Sequence, residues 1–198
     1  MMRFTSIPKE DFKKIVKLFN RKVGLFFVAV AALYLDSVHL AKYFEYNQIV
    51  INIFMFAGFF WMYFRAVKRV RELMIYGVIL GVIGEYFFSV YLGMYTYRLG
   101  NVPLYVPLGH AAIYARVFMY SKAPIVRKHH KDLEKMMYIF ISLFALGYLI
   151  FLNDVFGFVM TLGVFALLIK RPKDRMFFLT MYIIVAGLEI GGPAYGAW

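Results

Sequence analysis

The chain has 198 residues, 63% of them hydrophobic and 20% aromatic, with no cysteine and a formal net charge of +12. A soluble domain carries about 45–50% apolar residues, spaced to leave a polar face, so this composition excludes an ordinary soluble fold. The missing cysteines exclude a disulfide framework, a thiolate metal site and a cysteine nucleophile.

Residues 1–22 precede the first apolar run. In this segment Phe12, Ile15, Val16 and Phe19 recur at helical spacing among Lys13, Lys14, Lys17 and Arg21, and Ser6 and Pro8 suit a helix start. The segment reads as an amphipathic helix lying on the cytoplasmic membrane surface. It does not read as a signal peptide, because the apolar run that follows is about 22 residues, too long for an h-region, and no small-x-small cleavage site comes after it.

Residues 23–198 read as a single transmembrane helical domain, an all-α polytopic bundle. A helix needs about 20 apolar residues to span the hydrocarbon core. Seven runs are expected to do so, at 23–44, 47–64, 73–96, 103–121, 136–153, 155–170 and 176–197. The fifth and sixth are separated only by Asn153-Asp154, and a re-entrant hairpin is the alternative there.

Charge gives the orientation. Of the 23 Lys and Arg residues, 20 fall in four clusters, Arg3 to Lys22, Arg65 to Arg71, Lys122 to Lys135 and Lys170 to Arg175. These occupy every second connection, the positive-inside pattern, with the N-terminus cytoplasmic and the C-terminus outside. The expected setting is the inner or plasma membrane of a prokaryote. The basic loops then face anionic lipid headgroups rather than nucleic acid. His129-His130 reads as part of a solvated loop.

Ionisable residues inside a membrane are costly. They are Asp36 and His39 in the first run, Glu85 in the third, His110 and Arg116 in the fourth and Glu189 in the seventh; Asp154 sits at a turn. At about 1.5 Å per residue, Asp36, Glu85, His110 and Glu189 all fall roughly 20 Å from the cytoplasmic end, with His39 one turn further out. Their common level points to one outer-half pocket. Asp36, His39 and Tyr43 share a helical stripe, as do Glu85 with Gly81 and Ser89, and Glu189 with Tyr182 and Pro193. Glycines at 77, 81, 84, 187 and 191 predict close helix packing. Arg116 reads as a snorkelling residue or a headgroup partner, and Tyr95, Tyr97 and Tyr105 as part of an outer aromatic belt.

"VIGEYFFSVYLGMYTY" and "VAGLEIGGPAYGAW" share a glycine near a glutamate and a later Gly-x-aromatic. This echo suggests two parallel halves, the second lacking its last helix, and a sequence that stops short at Trp198. Glu85, Gly93-Met94-Tyr95-Thr96-Tyr97 and Pro103-Leu104-Tyr105-Val106-Pro107 resemble the Glu…Gly-x-Tyr-x-Tyr…Pro…Pro pattern of polytopic carotenoid-modifying enzymes, the carotenoid hydratases and membrane lycopene cyclases. The resemblance covers about 27 residues and implies acid-catalysed chemistry on an isoprenoid double bond.

Three functions are weighed. The first is an intramembrane enzyme acting on a lipid-soluble substrate, with Glu85 or Glu189 as acid, Asp36, His39 and His110 assisting, and Tyr43, Ser89 and Tyr182 as substrate contacts. A variant has the two histidines and three carboxylates hold a metal ion, although no Glu-x-x-His or His-rich box is present. The second is a non-catalytic subunit packed against a membrane protein partner. The third is a proton-linked carrier. No cofactor follows from the sequence.

Overall fold

The computed structural model describes residues 7–197. Among these every regular element is helical. In chain order they are α1 (Lys9–Val23), α2 (Leu25–Leu35), α3 (Val38–Ala41), α4 (Asn47–Arg65), α5 (Lys68–Glu85) with a π-helical continuation over Tyr86–Tyr91, α6 (Tyr105–Ser121), α7 (Pro124–Lys128), α8 (His130–Leu152), α9 (Val155–Ile169) and α10 (Arg175–Tyr195). Arg3, Ser6 and Trp198, named above, lie outside the described residues.

Among the described residues, four helical segments are long and apolar enough to cross a membrane: Asn47–Arg65, Lys68–Tyr91, His130–Leu152 and Arg175–Tyr195. A fifth is reached if α1 and α2, broken at Gly24, count together. The protein is therefore an integral membrane protein. α6 has 17 residues and α9 has 15, both shorter than the ~20 a perpendicular span requires. The first apolar run is not one helix. It breaks at Asp36-Ser37, where Ser37 Oγ accepts from the Leu40 N–H and starts α3. A helix break in an apolar setting leaves carbonyls in need of partners, and side chains take that role. Asn47 Nδ2 donates to Leu35 O at 2.8 Å, and Arg98 Nε donates to Asp36 O at 2.9 Å.

The chain divides into two compact units, one of residues 1–20 and 119–183, the other of 21–118 and 184–198. In the first, α8 and α9 pair across a tight reversal. Asn153 adopts the left-handed conformation (φ 54°), and the Asp154 side chain accepts from Gly157 N at 2.8 Å to start α9. Ile141, Leu168 and Leu179 form its core. Ile15 of α1 is buried and Phe19 meets Tyr120 edge-to-face, while Phe12 and Val16 stay exposed. The amphipathic stripe is thus shared between protein contact and the surface.

In the second unit α5 and α6 approach closely. A Cβ added to Gly77 would stand 2.9 Å from Ala111 Cα, and one on Gly81 3.2 Å from Pro107 Cα. Both are backbone contacts, so a side chain at Gly77 would force the helices apart and one at Gly81 would need the α6 backbone to give by a few tenths of an ångström. Gly84 faces open space, Gly187 lies against the Phe26 ring, and Gly191 has ordinary contacts. The core of this unit gathers Ala32, Leu33, Ile51, Tyr97, Tyr105 and Val106.

Candidate functional site

Two buried carboxylates organise the second unit, and each is reached by the same two elements. The π turn begins one residue after Glu85. Such turns are rare and frequent at functional sites. It ends at Gly93, which is in the left-handed region at φ 61°, with Met94 N donating to Phe88 O, one residue further back than in a Schellman cap. The loop that follows turns back on the helix. Its adjacent residues Tyr97 and Arg98 then serve the two acids separately, Tyr97 bonding to Glu85 and Arg98 to Asp36. α6 repeats the division, with Tyr105 bonding to Asp36 and His110 to Glu85.

Asp36 is fully buried. Its Oδ1 accepts from Arg98 Nη2 at 2.6 Å, and its Oδ2 accepts from Tyr105 Oη at 3.0 Å and Gln48 Nε2 at 3.2 Å. Arg98 donates also to Asn47 Oδ1 at 2.8 Å. Asn52 Oδ1 accepts from the Tyr105 N–H, satisfying one free donor at the start of α6. Among the described residues no buried side-chain nitrogen or oxygen is left without a hydrogen-bond partner, and the cluster fixes the loop, the helix break and the start of α6 together.

Glu85 accepts from Tyr97 Oη at 2.6 Å and Tyr95 Oη at 2.7 Å, both on Oε2. His110 Nε2 lies 3.0 Å from Oε1. Among the described residues His110 Nδ1 has no partner. A carboxylate that accepts Nε2–H leaves Nδ1 as the basic nitrogen, the arrangement of a histidine oriented by an acid. Glu189 of α10 lines the same cavity, with Glu85, His110, Tyr95, Tyr97 and Tyr105. Glu189 is exposed and makes no hydrogen bond among the described residues. The cavity encloses about 40 Å³, room for about three waters at the ~10–15 Å³ each requires. It fits a proton relay and one reacting group, and a longer substrate must lie mostly outside it.

The structure thus brings together Glu85, His110 and Glu189. Asp36 stands beside them in its own cluster. Tyr105 and His110 are five residues apart on α6, about 7.5 Å along the axis. The break at Ser37 separates Asp36 from His39 and Tyr43, which are both exposed; among the described residues neither lines the cavity. The predicted shared stripe is lost because the helix does not continue through it. Ser89 is half-buried on the π turn, outside the lining. Tyr182 belongs to the other unit, where its hydroxyl lies 2.6 Å from Thr161 Oγ1. Arg116 donates to Lys22 O and Arg21 O. No group of three or more His, Asp or Glu among the described residues is placed to hold one metal ion.

Sequence reasoning missed Arg98, Asn47, Gln48 and Asn52, and gave Tyr95, Tyr97 and Tyr105 to an aromatic belt. One signal was available. Arg98 is a basic residue in a connection assigned to the outer side, where the charge pattern gives no reason for it, so it called for a carboxylate partner. The chain matches no protein-family model, no curated protein and no solved structure.

Proposed function

We propose that the protein is an integral membrane enzyme doing acid/base chemistry at a carbon–carbon double bond of a lipid-soluble substrate. The observation that carries this reading is the pairing of a carboxylate-oriented histidine with a second, unbonded carboxyl in one tyrosine-lined cavity. Glu189 is the acid, His110 Nδ1 the base, and Glu85 the group that orients His110. The Glu189 proton adds to one alkene carbon, the π electrons forming the new C–H bond and leaving the charge on the neighbouring carbon. Aromatic faces among the lining tyrosines stabilise that cation. It then loses an adjacent proton to His110, shifting the double bond, or it is captured by a water whose proton His110 takes. The resemblance to carotenoid-modifying enzymes favours an isoprenoid substrate.

The proposed orientation has the N-terminus cytoplasmic, the C-terminus outside and seven helical segments entering the membrane of a prokaryote. It is supported by the basic clusters, which lie on α1 and in the connections α4–α5, α6–α8 and α9–α10. Lys42 and Arg98 are the only basic residues in the alternate connections.

The experiment is a trap. Glu189→Gln keeps the shape of the side chain but cannot deliver a proton. Purified from the same membranes, this variant should retain a lipid that differs from the lipid held by the wild-type protein, by one water or by the position of a double bond. Identical bulk lipids on both would contradict an enzymatic role and favour a non-catalytic membrane subunit.

A further inference from the structure

A second cavity in the same unit, of about 530 Å³, runs between α2 and α4 with α6 beneath it. That is within the range of small-ligand pockets, ~300–1,000 Å³. Its walls are apolar along the whole of α2, from Leu25 to Leu35, a length of about 16 Å. Two features of one end are not apolar. Arg116 lines it, and among the described residues its guanidinium donates only to the carbonyls of Lys22 and Arg21. Trp61, also in the wall, carries the Arg65 guanidinium 4.9 Å above its ring. Among the described residues no carboxylate pairs with either arginine.

An arginine beside an apolar groove with neutral partners alone keeps its full charge uncompensated, and a guanidinium forks naturally onto phosphate oxygens. We infer that this groove binds one anionic phospholipid, with an acyl chain between α2 and α4 and the phosphate held by Arg116 and Arg65. Charge complementarity at one end and a long apolar wall behind it select this occupant over a neutral lipid or a soluble anion. The basic residues Arg21 and Lys22 beside Arg116 add to the same field. The groove shares Met55 with the wall of the acid/base cavity, but the inference does not depend on the reading of that cavity.

Gly58 makes the inference testable without disturbing the arginines. It lines the groove, and a Cβ there would meet nothing within 4 Å. Gly58→Phe should therefore fold and fill the groove. Purified protein would be titrated with phosphatidylglycerol, with phosphatidylcholine and with inorganic phosphate, reading retained lipid by native mass spectrometry and the shift in Tm. Phosphatidylglycerol should be retained and raise Tm, at least tenfold more tightly than phosphatidylcholine, and phosphate alone should do neither. Gly58→Phe and Arg116→Gln should each weaken phosphatidylglycerol binding tenfold or more. Equal binding of both lipids, full stabilisation by phosphate alone, or phosphatidylglycerol binding unchanged in Gly58→Phe would each overturn the inference.

Discussion

Arg98 makes the bonds on which the candidate site depends. It satisfies the carbonyl freed by the helix break and pairs with a fully buried aspartate, while its neighbour Tyr97 reaches Glu85. Removing one member of a buried ion pair strands the other charge, at about 3–5 kcal/mol. Arg98→Met should lower stability by about that amount, seen as a large fall in Tm in detergent. The double variant Arg98→Met with Asp36→Asn should recover part of the loss, because no bare charge remains. An unchanged Tm for Arg98→Met would show that the pair contributes nothing. The acids and His110 were legible in the sequence because ionisable residues stand out against an apolar background. Their partners were not, since an Asn, Gln or Tyr near a helix end is unremarkable until the fold brings it within 3 Å of a carboxylate.

At the level of single elements, packing separates glycines that look alike in sequence. Gly77 and Gly81 face the α6 backbone and Gly84 faces open space. Gly81→Leu should be destabilised by about 1–3 kcal/mol through overpacking. Gly84→Leu should be neutral or slightly more stable, since leaving glycine gains up to ~1 kcal/mol in a helix. Comparable losses in thermal denaturation for both would contradict the close α5–α6 approach. Element existence was readable, with each apolar run yielding a helix, but the first run's break was not. Asp36-Ser37 lies in an unbroken apolar pattern, and the compensating donors come from Asn47 and Arg98, 12 and 62 residues away from the groups they serve. The docking of α1 adds a pH dependence. Lys128 and His129, bonding at 2.8 and 2.7 Å, hold the Asp11 carboxyl down to about 2 from an ordinary 3.8. A depressed carboxyl contributes stability that is present above its unfolded value and lost as pH falls through the folded one. Hydrogen-exchange protection in α1, taken relative to the unfolded chain at the same pH, should thus fall between about pH 4 and pH 2, and Asp11→Asn should remove that step. An acid step of the same size in the variant would place its origin elsewhere.

On the scale of the whole molecule, composition alone implied a helical membrane protein, and the structure supplies four or five helices of spanning length. Glu85, His110 and Glu189, which the sequence reading puts at one level, line one cavity, whereas Asp36, expected with them, sits in its own cluster. Helical spacing groups His39 and Tyr43 with Asp36, and Tyr182 with Glu189, but the break at Ser37 ends the first stripe, and seven residues, about 10.5 Å along α10, separate Tyr182 from Glu189. The role proposed for Glu189 is to deliver a solvent-derived proton to carbon, and its most direct measurement is deuterium incorporation into membrane lipids incubated with the purified protein in heavy water. The wild-type protein should place non-exchangeable deuterium on an unsaturated lipid, and Glu189→Gln should reduce the rate by about 10²–10⁴, the usual contribution of a general acid. His110→Gln should fall comparably. Incorporation at the wild-type rate in Glu189→Gln, or none with the wild-type protein, would contradict that role.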